Sequence, residues 1–224
     1  MRSKIATRAG PRTYRESMIR NLILDWSGTL ADDLGAVVEA TNHVLAHFGR
    51  SALTREEFRA VFRLPYTEFY QEMLPHAPLA ELQQVYLERF PEDHPVPMIE
   101  HAEDFLRHAA ESGRRMFVLS SAPLEHVSEQ ARTNGVLGCF EHLHCGVIDK
   151  CSHIHELLGK HGLDASETAF VGDMRHDIHA GKAAGVTTIA TATGYESVPV
   201  LLTAGPDVLV RNLSFLTRMF RLPS

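Results

Sequence analysis

Leu22-Ile23-Leu24-Asp25-Trp26-Ser27-Gly28-Thr29-Leu30 is an apolar run that ends on a carboxylate and then turns. Three branched apolar residues in a row read as the middle of a short strand, Asn21–Asp25, buried on both faces. Gly28 and Thr29 make the tight turn that follows. An acid at that point sits where backbone N–H groups can meet an anion. An aspartate that merely caps the next element is the plain alternative, so the meaning of Asp25 depends on what the rest of the chain brings to it.

Five further segments carry the same short, β-branched signal: Arg115–Ser120, His142–Val147, Thr168–Gly172, Thr187–Thr191 and Asp207–Val210. Helical patterns separate them at about Glu100–Ser112, Leu124–Thr133, Ser152–His161, Asp177–Gly185 and Val198–Ala204. Strands alternating with helices predict an α/β fold with a doubly wound parallel sheet, Rossmann-like, covered on both faces. Such sheets bind ligands at the carboxyl ends of their strands. The positions to inspect are therefore Asp25, Ser120, Lys150 and Asp173.

The alternation fails between residues 34 and 97, where the pattern is helical. Val37, Val44, Leu45 and Phe48 follow helical spacing with Thr41 between them, and Thr54-Arg55-Glu56-Glu57 is a capping box. The segment reads as an inserted helical domain with hinges near Asp33 and Pro97. The core is then formed by residues 18–33 and 98–224.

Residues 1–17 carry Arg2, Lys4, Arg8, Arg12 and Arg15 against Glu16 alone and show no apolar periodicity. They read as a disordered extension ahead of Met18, or as an Arg-rich transit-like leader. Of 224 residues, 44% are hydrophobic and the formal net charge is −6. That charge argues against nucleic acid as a partner. No apolar run approaches the roughly 20 residues of a membrane span. Cys139, Cys145 and Cys151 are odd in number and lie close together, which points to a reducing cytoplasm and not to a secreted disulfide framework.

Three more clusters carry chemistry. Gly172-Asp173-Met174-Arg175-His176-Asp177 puts two acids four residues apart at a second strand end. Carboxylates converging there repel unless a cation is present, and Mg2+ accepts one or two carboxylates together with water and phosphate oxygens. Ser120 precedes the helix start at Pro123 and can hold a phosphate oxygen with that helix's first N–H groups. Lys150 is one of four lysines in the chain, and a cation beside the acids would offset charge on a transferring phosphoryl group.

In this order and spacing the four clusters resemble the haloacid dehalogenase-like hydrolase superfamily. The resemblance rests on Asp25-x-x-Gly28-Thr29-Leu30 and on the Gly172-Asp173-x-x-x-Asp177 run that continues to Ala184-Gly185. It is greatest to the helical-cap subgroup that includes phosphoglycolate phosphatase and β-phosphoglucomutase. It implies a Mg2+-dependent phosphatase acting on a small phosphorylated metabolite. Asp25 would be the nucleophile and a metal ligand, Ser27 a ligand through its backbone carbonyl, and Asp173 the third. Ser120 and Lys150 would hold phosphoryl oxygens, with Asp177 and Thr29 in support.

One departure is plain. Phosphatases of this superfamily carry a second aspartate, the general acid–base, where this chain has Ser27. Such a group contributes about 10²–10⁴ in rate. One reading is a substitute acid–base, with His176, Asp32 and a histidine of the helical segment as candidates. A second is a weakly active or inactive descendant that binds a phosphorylated ligand or a protein. A third is a C–P hydrolase like phosphonoacetaldehyde hydrolase, whose Asp-Trp-Ala-Gly-Thr start is close to this one. That chemistry needs a lysine in the cap, and none occurs between Leu34 and Met98. Arg63, where related caps have glycine, is a candidate contact for an anionic substrate group. His142, His144, Cys145, Cys151, His153 and His155 have zinc-ligand residue types without a recognised spacing, and they read as ordinary strand and helix residues.

Overall fold

A computed structural model describes residues 19–91 and 94–220, so the basic segment 1–17 lies outside the described residues. Six parallel strands form one sheet: β1 (Asn21–Leu24), β2 (Arg115–Leu119), β3 (His142–His144), β4 (Thr168–Gly172), β5 (Thr187–Thr191) and β6 (Val208–Val210). Their order is β3-β2-β1-β4-β5-β6. The chain leaves β1 toward one edge and later returns beside it toward the other. The switch point is the crevice at the carboxyl ends of β1 and β4, the place such sheets offer a ligand.

Alternate residues of each strand enter opposite cores. Leu22, Leu24, Met116, Val118, Ala169 and Val171 pack on one face; Ile23, Phe117, Leu119 and Phe170 pack on the other. Helices α5 (Ala102–Glu111), α6 (Leu124–Thr133) and α10 (Leu213–Met219) contribute to the first. Helices α7 (Lys150–His161) and α8 (Arg175–Ala183) contribute to the second. Helix α9 (Val198–Thr203) packs Leu201 against Ile178 and Ala190.

Of the boundaries that differ from expectation, two bear on the site. Strand β3 stops at His144, because Gly146 takes a left-handed φ of 68° and turns the chain away. Val147 then donates its N–H to the Ser120 carbonyl, outside the ladder. Helix α7 begins at Lys150, two residues early, because the Asp149 carboxylate caps it by accepting from the N–H groups of Cys151 and Ser152. Lys150 is thereby the first helical residue instead of a loop residue. Helix α10 has no counterpart among the helical patterns expected from the sequence.

Between β1 and α5 the described residues hold four helices: α1 (Leu34–His47), α2 (Arg55–Val61), α3 (Tyr66–Met73) and α4 (Leu79–Leu87). Thr41, Val44 and Leu45 are buried as their spacing predicts, and Val37 and Phe48 are partly buried. The capping box at Thr54 and Glu57 forms in both directions. These helices share an apolar cluster with Met174 and Tyr195 of the sheet side. The chain passes out and back along adjacent paths: Asp32 donates to the Pro97 carbonyl at 2.9 Å and Ile99 to the Leu30 carbonyl at 2.8 Å.

No helix among the described residues is long and apolar enough to cross a membrane. Leu24, the last residue of β1, is fully buried and immediately precedes Asp25. Leu24→Ala is expected to lower unfolding free energy by about 2–5 kcal/mol, measured by urea denaturation. A loss below about 1 kcal/mol would mean that this strand end is not held by packing.

Candidate active site

The end of β1 delivers Asp25, whose N–H continues the ladder by donating to the Val171 carbonyl of β4 at 2.9 Å. Strand β4 delivers Asp173, and the first turn of α8 delivers Asp177. All three carboxylates are buried, and each offers an oxygen within 4.8 Å of the others. Lys150 reaches them from α7. Its Nζ, fully buried, lies 2.7 Å from Asp25 Oδ1 and 2.7 Å from Asp177 Oδ1.

Each carboxylate is held in place. Asp173 Oδ1 accepts from the Thr29 hydroxyl at 2.8 Å and its Oδ2 from the Tyr195 N–H at 2.6 Å. Asp177 Oδ2 accepts from the Met174 N–H at 3.0 Å. Gly28 has a left-handed φ of 73°, and a Cβ there, or at Gly194, would overlap the Asp173 carboxylate. Both glycines let backbone close around the acids. Ser120 is buried beside this group; its N–H donates to the His144 carbonyl at 2.9 Å, and its Oγ accepts from the Ala122 N–H at 3.2 Å.

Three carboxylates facing one ammonium leave an excess of negative charge away from water. Burial, opposed by Lys150 and reinforced by Asp177, pushes the Asp25 carboxyl up to about 7. Burial and the nearby Asp25 and Asp177 hold Asp173 well above the usual carboxylate range. For Lys150, burial favours the neutral form, but Asp177 and Asp25 outweigh it and raise its pKa. An oxygen-only donor set with surplus negative charge suits a hard divalent cation. Asp25, Asp173 and Asp177 offer the converging oxygens; the resemblance implies that Asp25, Asp173 and the backbone carbonyl of Ser27 would hold the ion, with Asp177 in support.

The structure answers differently for the remaining candidates. Arg63 does not line the cavity above the strand ends and instead pairs with Glu72. The backbone is extended there, with ψ of 139° at Phe62, and side chains on extended backbone alternate. Phe62 and Leu64 enter the cavity, which sends Arg63 outward. His176 is also absent from the cavity lining. One of its ring nitrogens lies within 4.8 Å of possible ligand atoms on Asp149 and Cys151, and burial lowers its pKa. Asp32 is exposed. His43 and His47 of α1 pair with Glu88 and Glu81 at the surface.

Of the zinc-type residues, His144 contacts His153 through Nδ1 at 3.0 Å and the additional His161 through Nε2 at 3.0 Å. Among the described residues, no three of the six converge as ligands.

Two residues of this site were not singled out from the sequence. Asp33 is buried, lines the cavity with Asp25 and Ser27, and accepts from the Tyr195 phenol at 3.0 Å. Burial, opposed by the nearby Ser27 hydroxyl and by the Tyr195 hydrogen bond, pushes it up to about 6. Tyr195 reaches Asp173 with its N–H and Asp33 with its hydroxyl, and its ring lies 5.5 Å from that of Phe62. The doublet Asp32-Asp33 was a signal for the first. Nothing local in the sequence marks the second.

A sequence model of the haloacid dehalogenase-like hydrolase family matches residues 22–191. The phosphoglycolate phosphatase of Yersinia pseudotuberculosis is 28% identical over 222 residues, covering 92% of this chain and 95% of that protein. The pyrophosphatase PpaX of Bacillus pumilus is 24% identical over 206 residues, covering 89% and 95%. Among solved structures, a haloacid dehalogenase-like family hydrolase of Streptococcus pneumoniae has a TM-score of 0.81 at 17% identity, over 91% of this chain and 99% of that one. That likeness shows a shared fold.

The pKa of Asp25 gives a direct check on the metal reading. A folded value of about 7 against an ordinary 3.8 means that the metal-free fold binds this proton more tightly than the unfolded chain does. The corresponding stability is fully present below about pH 4 and is lost as pH rises through about 7. A cation replaces the proton where the proton has left. Mg2+ is therefore expected to raise the melting temperature more at pH 8 than at pH 5. Equal shifts at the two pH values would show that these carboxylates do not hold it.

Proposed function

The chain belongs to the haloacid dehalogenase-like hydrolase family, and we propose that it is a Mg2+-dependent phosphatase working through an aspartyl-phosphate on Asp25. The observation that carries this reading is the buried Lys150, 2.7 Å from both Asp25 and Asp177, whose carboxylates converge with that of Asp173. A structural ion pair needs one carboxylate. A third carboxylate, at a strand end that opens into a cavity, suits an anion-and-cation site.

Mg2+, when bound, would offset charge on the phosphoryl oxygens and on the acids. Lys150 keeps Asp25 oriented with one oxygen engaged, which leaves the other for attack on phosphorus. The P–O bond to the leaving alcohol breaks as the P–O bond to Asp25 forms. Water then attacks phosphorus, the bond to Asp25 breaks, and inorganic phosphate leaves with the carboxylate restored. Ser120 and the N–H groups ahead of α6 lie at the neighbouring strand end, in position to hold phosphoryl oxygens. Asp177 positions Lys150.

Helices α1–α4, residues 34–97, act in this reading as a cap that closes over the strand ends and excludes water. The adjacent passages at 30–32 and 97–99 serve as its hinge. Contact of Phe58 and Phe62 with Tyr195, and of Arg59 with the Gly194 carbonyl, supports a closed arrangement.

Phosphate release from an aryl phosphate with Mg2+ tests the reading. Asp25→Asn is expected to reduce it to the level without enzyme. Release that survives this substitution removes the nucleophile assignment, and no release by the native protein leaves a protein that binds phosphorylated ligands without turning them over.

A further inference from the structure

The cavity above Asp25 has a volume of about 640 Å³, within the range that encloses a ring-bearing organic ligand. Asp25 and Ser27 are at its floor, and Phe62, Leu64, Tyr66, Tyr70, Tyr86 and Phe90 are among the side chains around it. No arginine or lysine lines it among the described residues, while Asp33 and Glu125 do. Several cations on the surrounding elements are engaged away from it. Arg63 pairs with Glu72, Arg59 donates to the Gly194 carbonyl, Arg50 donates to the Met73 carbonyl, and Arg175 pairs with Glu196. Lys150 is held between two aspartates. The one histidine in the lining, His126, lies edge-on to the Phe90 ring at 5.9 Å.

An anionic group on the leaving alcohol would lose water in this cavity and meet acids with no arginine or lysine among the described lining residues, a costly placement. A flat apolar ring would meet aromatic faces and edges, which favour it. A second observation agrees and does not depend on the lining. Position 27 carries a serine, whose hydroxyl is far too weak an acid to protonate a departing oxygen at neutral pH. A site without a donor there works best on an alcohol that departs as a stable anion. Phenols, with a pKa near that of tyrosine, about 10, meet this condition far better than alkyl alcohols.

We propose that the substrates are phosphate monoesters of uncharged phenols, with the ring seated in the aromatic cavity, and not small esters that carry a second anionic group. The proposal rests on the phosphatase reading and narrows it. Asp25 displaces the phenol at phosphorus, the electron pair of the broken P–O bond leaves on the phenolate, and solvent supplies the proton that makes it a phenol. Water then releases phosphate from Asp25.

The test measures kcat/KM with Mg2+ on two pairs, each matched for its kind of leaving oxygen. One pair is 1-naphthyl phosphate and 4-carboxyphenyl phosphate; the other is benzyl phosphate and phosphoglycolate. Inorganic pyrophosphate is the fifth compound. The uncharged member of each pair is expected to be turned over about 100-fold better or more, and 1-naphthyl phosphate best of all. Equal or faster turnover of the carboxylated member in either pair, or of pyrophosphate, overturns the proposal while leaving the phosphatase reading intact. No phosphate from any of the five, or release that persists in Asp25→Asn, overturns both.

Leu87 is 44% exposed and lines the cavity, so Leu87→Arg adds a cation with little effect on packing. It is expected to narrow the preference within the aryl pair by about 10-fold. An unchanged preference would show that absence of a cation does not set specificity.

Discussion

A buried ammonium between two buried carboxylates is the constraint around which this molecule is organised. Lys150 has no contact with solvent, and an ammonium there is tolerated only while Asp25 and Asp177 remain beside it. Breaking such an arrangement from one side typically costs about 3–5 kcal/mol. The three residues come from the start of α7, the end of β1 and the first turn of α8. Their pairing therefore holds three elements in register at the sheet's switch point, and the same geometry leaves Asp173 adjacent with no ammonium of its own.

Tyr195 extends that organisation to the inserted helices. Its N–H holds Asp173, its hydroxyl holds Asp33, and its ring packs near Phe58 and Phe62. The acid cluster and the wall of the cavity thus share a residue. A displacement of α2 that moved Phe62 would be felt, through Tyr195, at the Asp33 carboxylate.

Much of this was legible from the residues. The central strands β1, β2 and β4 showed because buried parallel strands are nearly continuous apolar runs, and Asp25 and Asp173 showed because each ends such a run. Lys150 stood out by the scarcity of lysine. What escaped depended on phase, which composition does not carry. Asp32 and Asp33 are chemically identical, and the path of the chain into α1 decides which one turns inward: Asp33, at the cap of α1, is buried and Asp32 is exposed. Arg63 was expected at the substrate, but it falls on the outward side of a short extended stretch whose neighbours face in. Tyr195 lies in a loop after β5, and its contacts span 162 residues of sequence to Asp33. No local pattern anticipates a partner at that distance.

The adjacent passages at 30–32 and 97–99 carry a consequence for how such a chain can change over time. The ends of the inserted segment are already side by side, joined by backbone hydrogen bonds on the sheet side. Closing a longer or shorter excursion at that point costs little in chain entropy, about 0.6 kcal/mol for each doubling of length. The α/β body can therefore keep its acids and lysine unaltered while the excursion is lengthened, trimmed or rebuilt. Selection on what the protein recognises is separated, by the geometry of a single doorway, from selection on the bond it breaks.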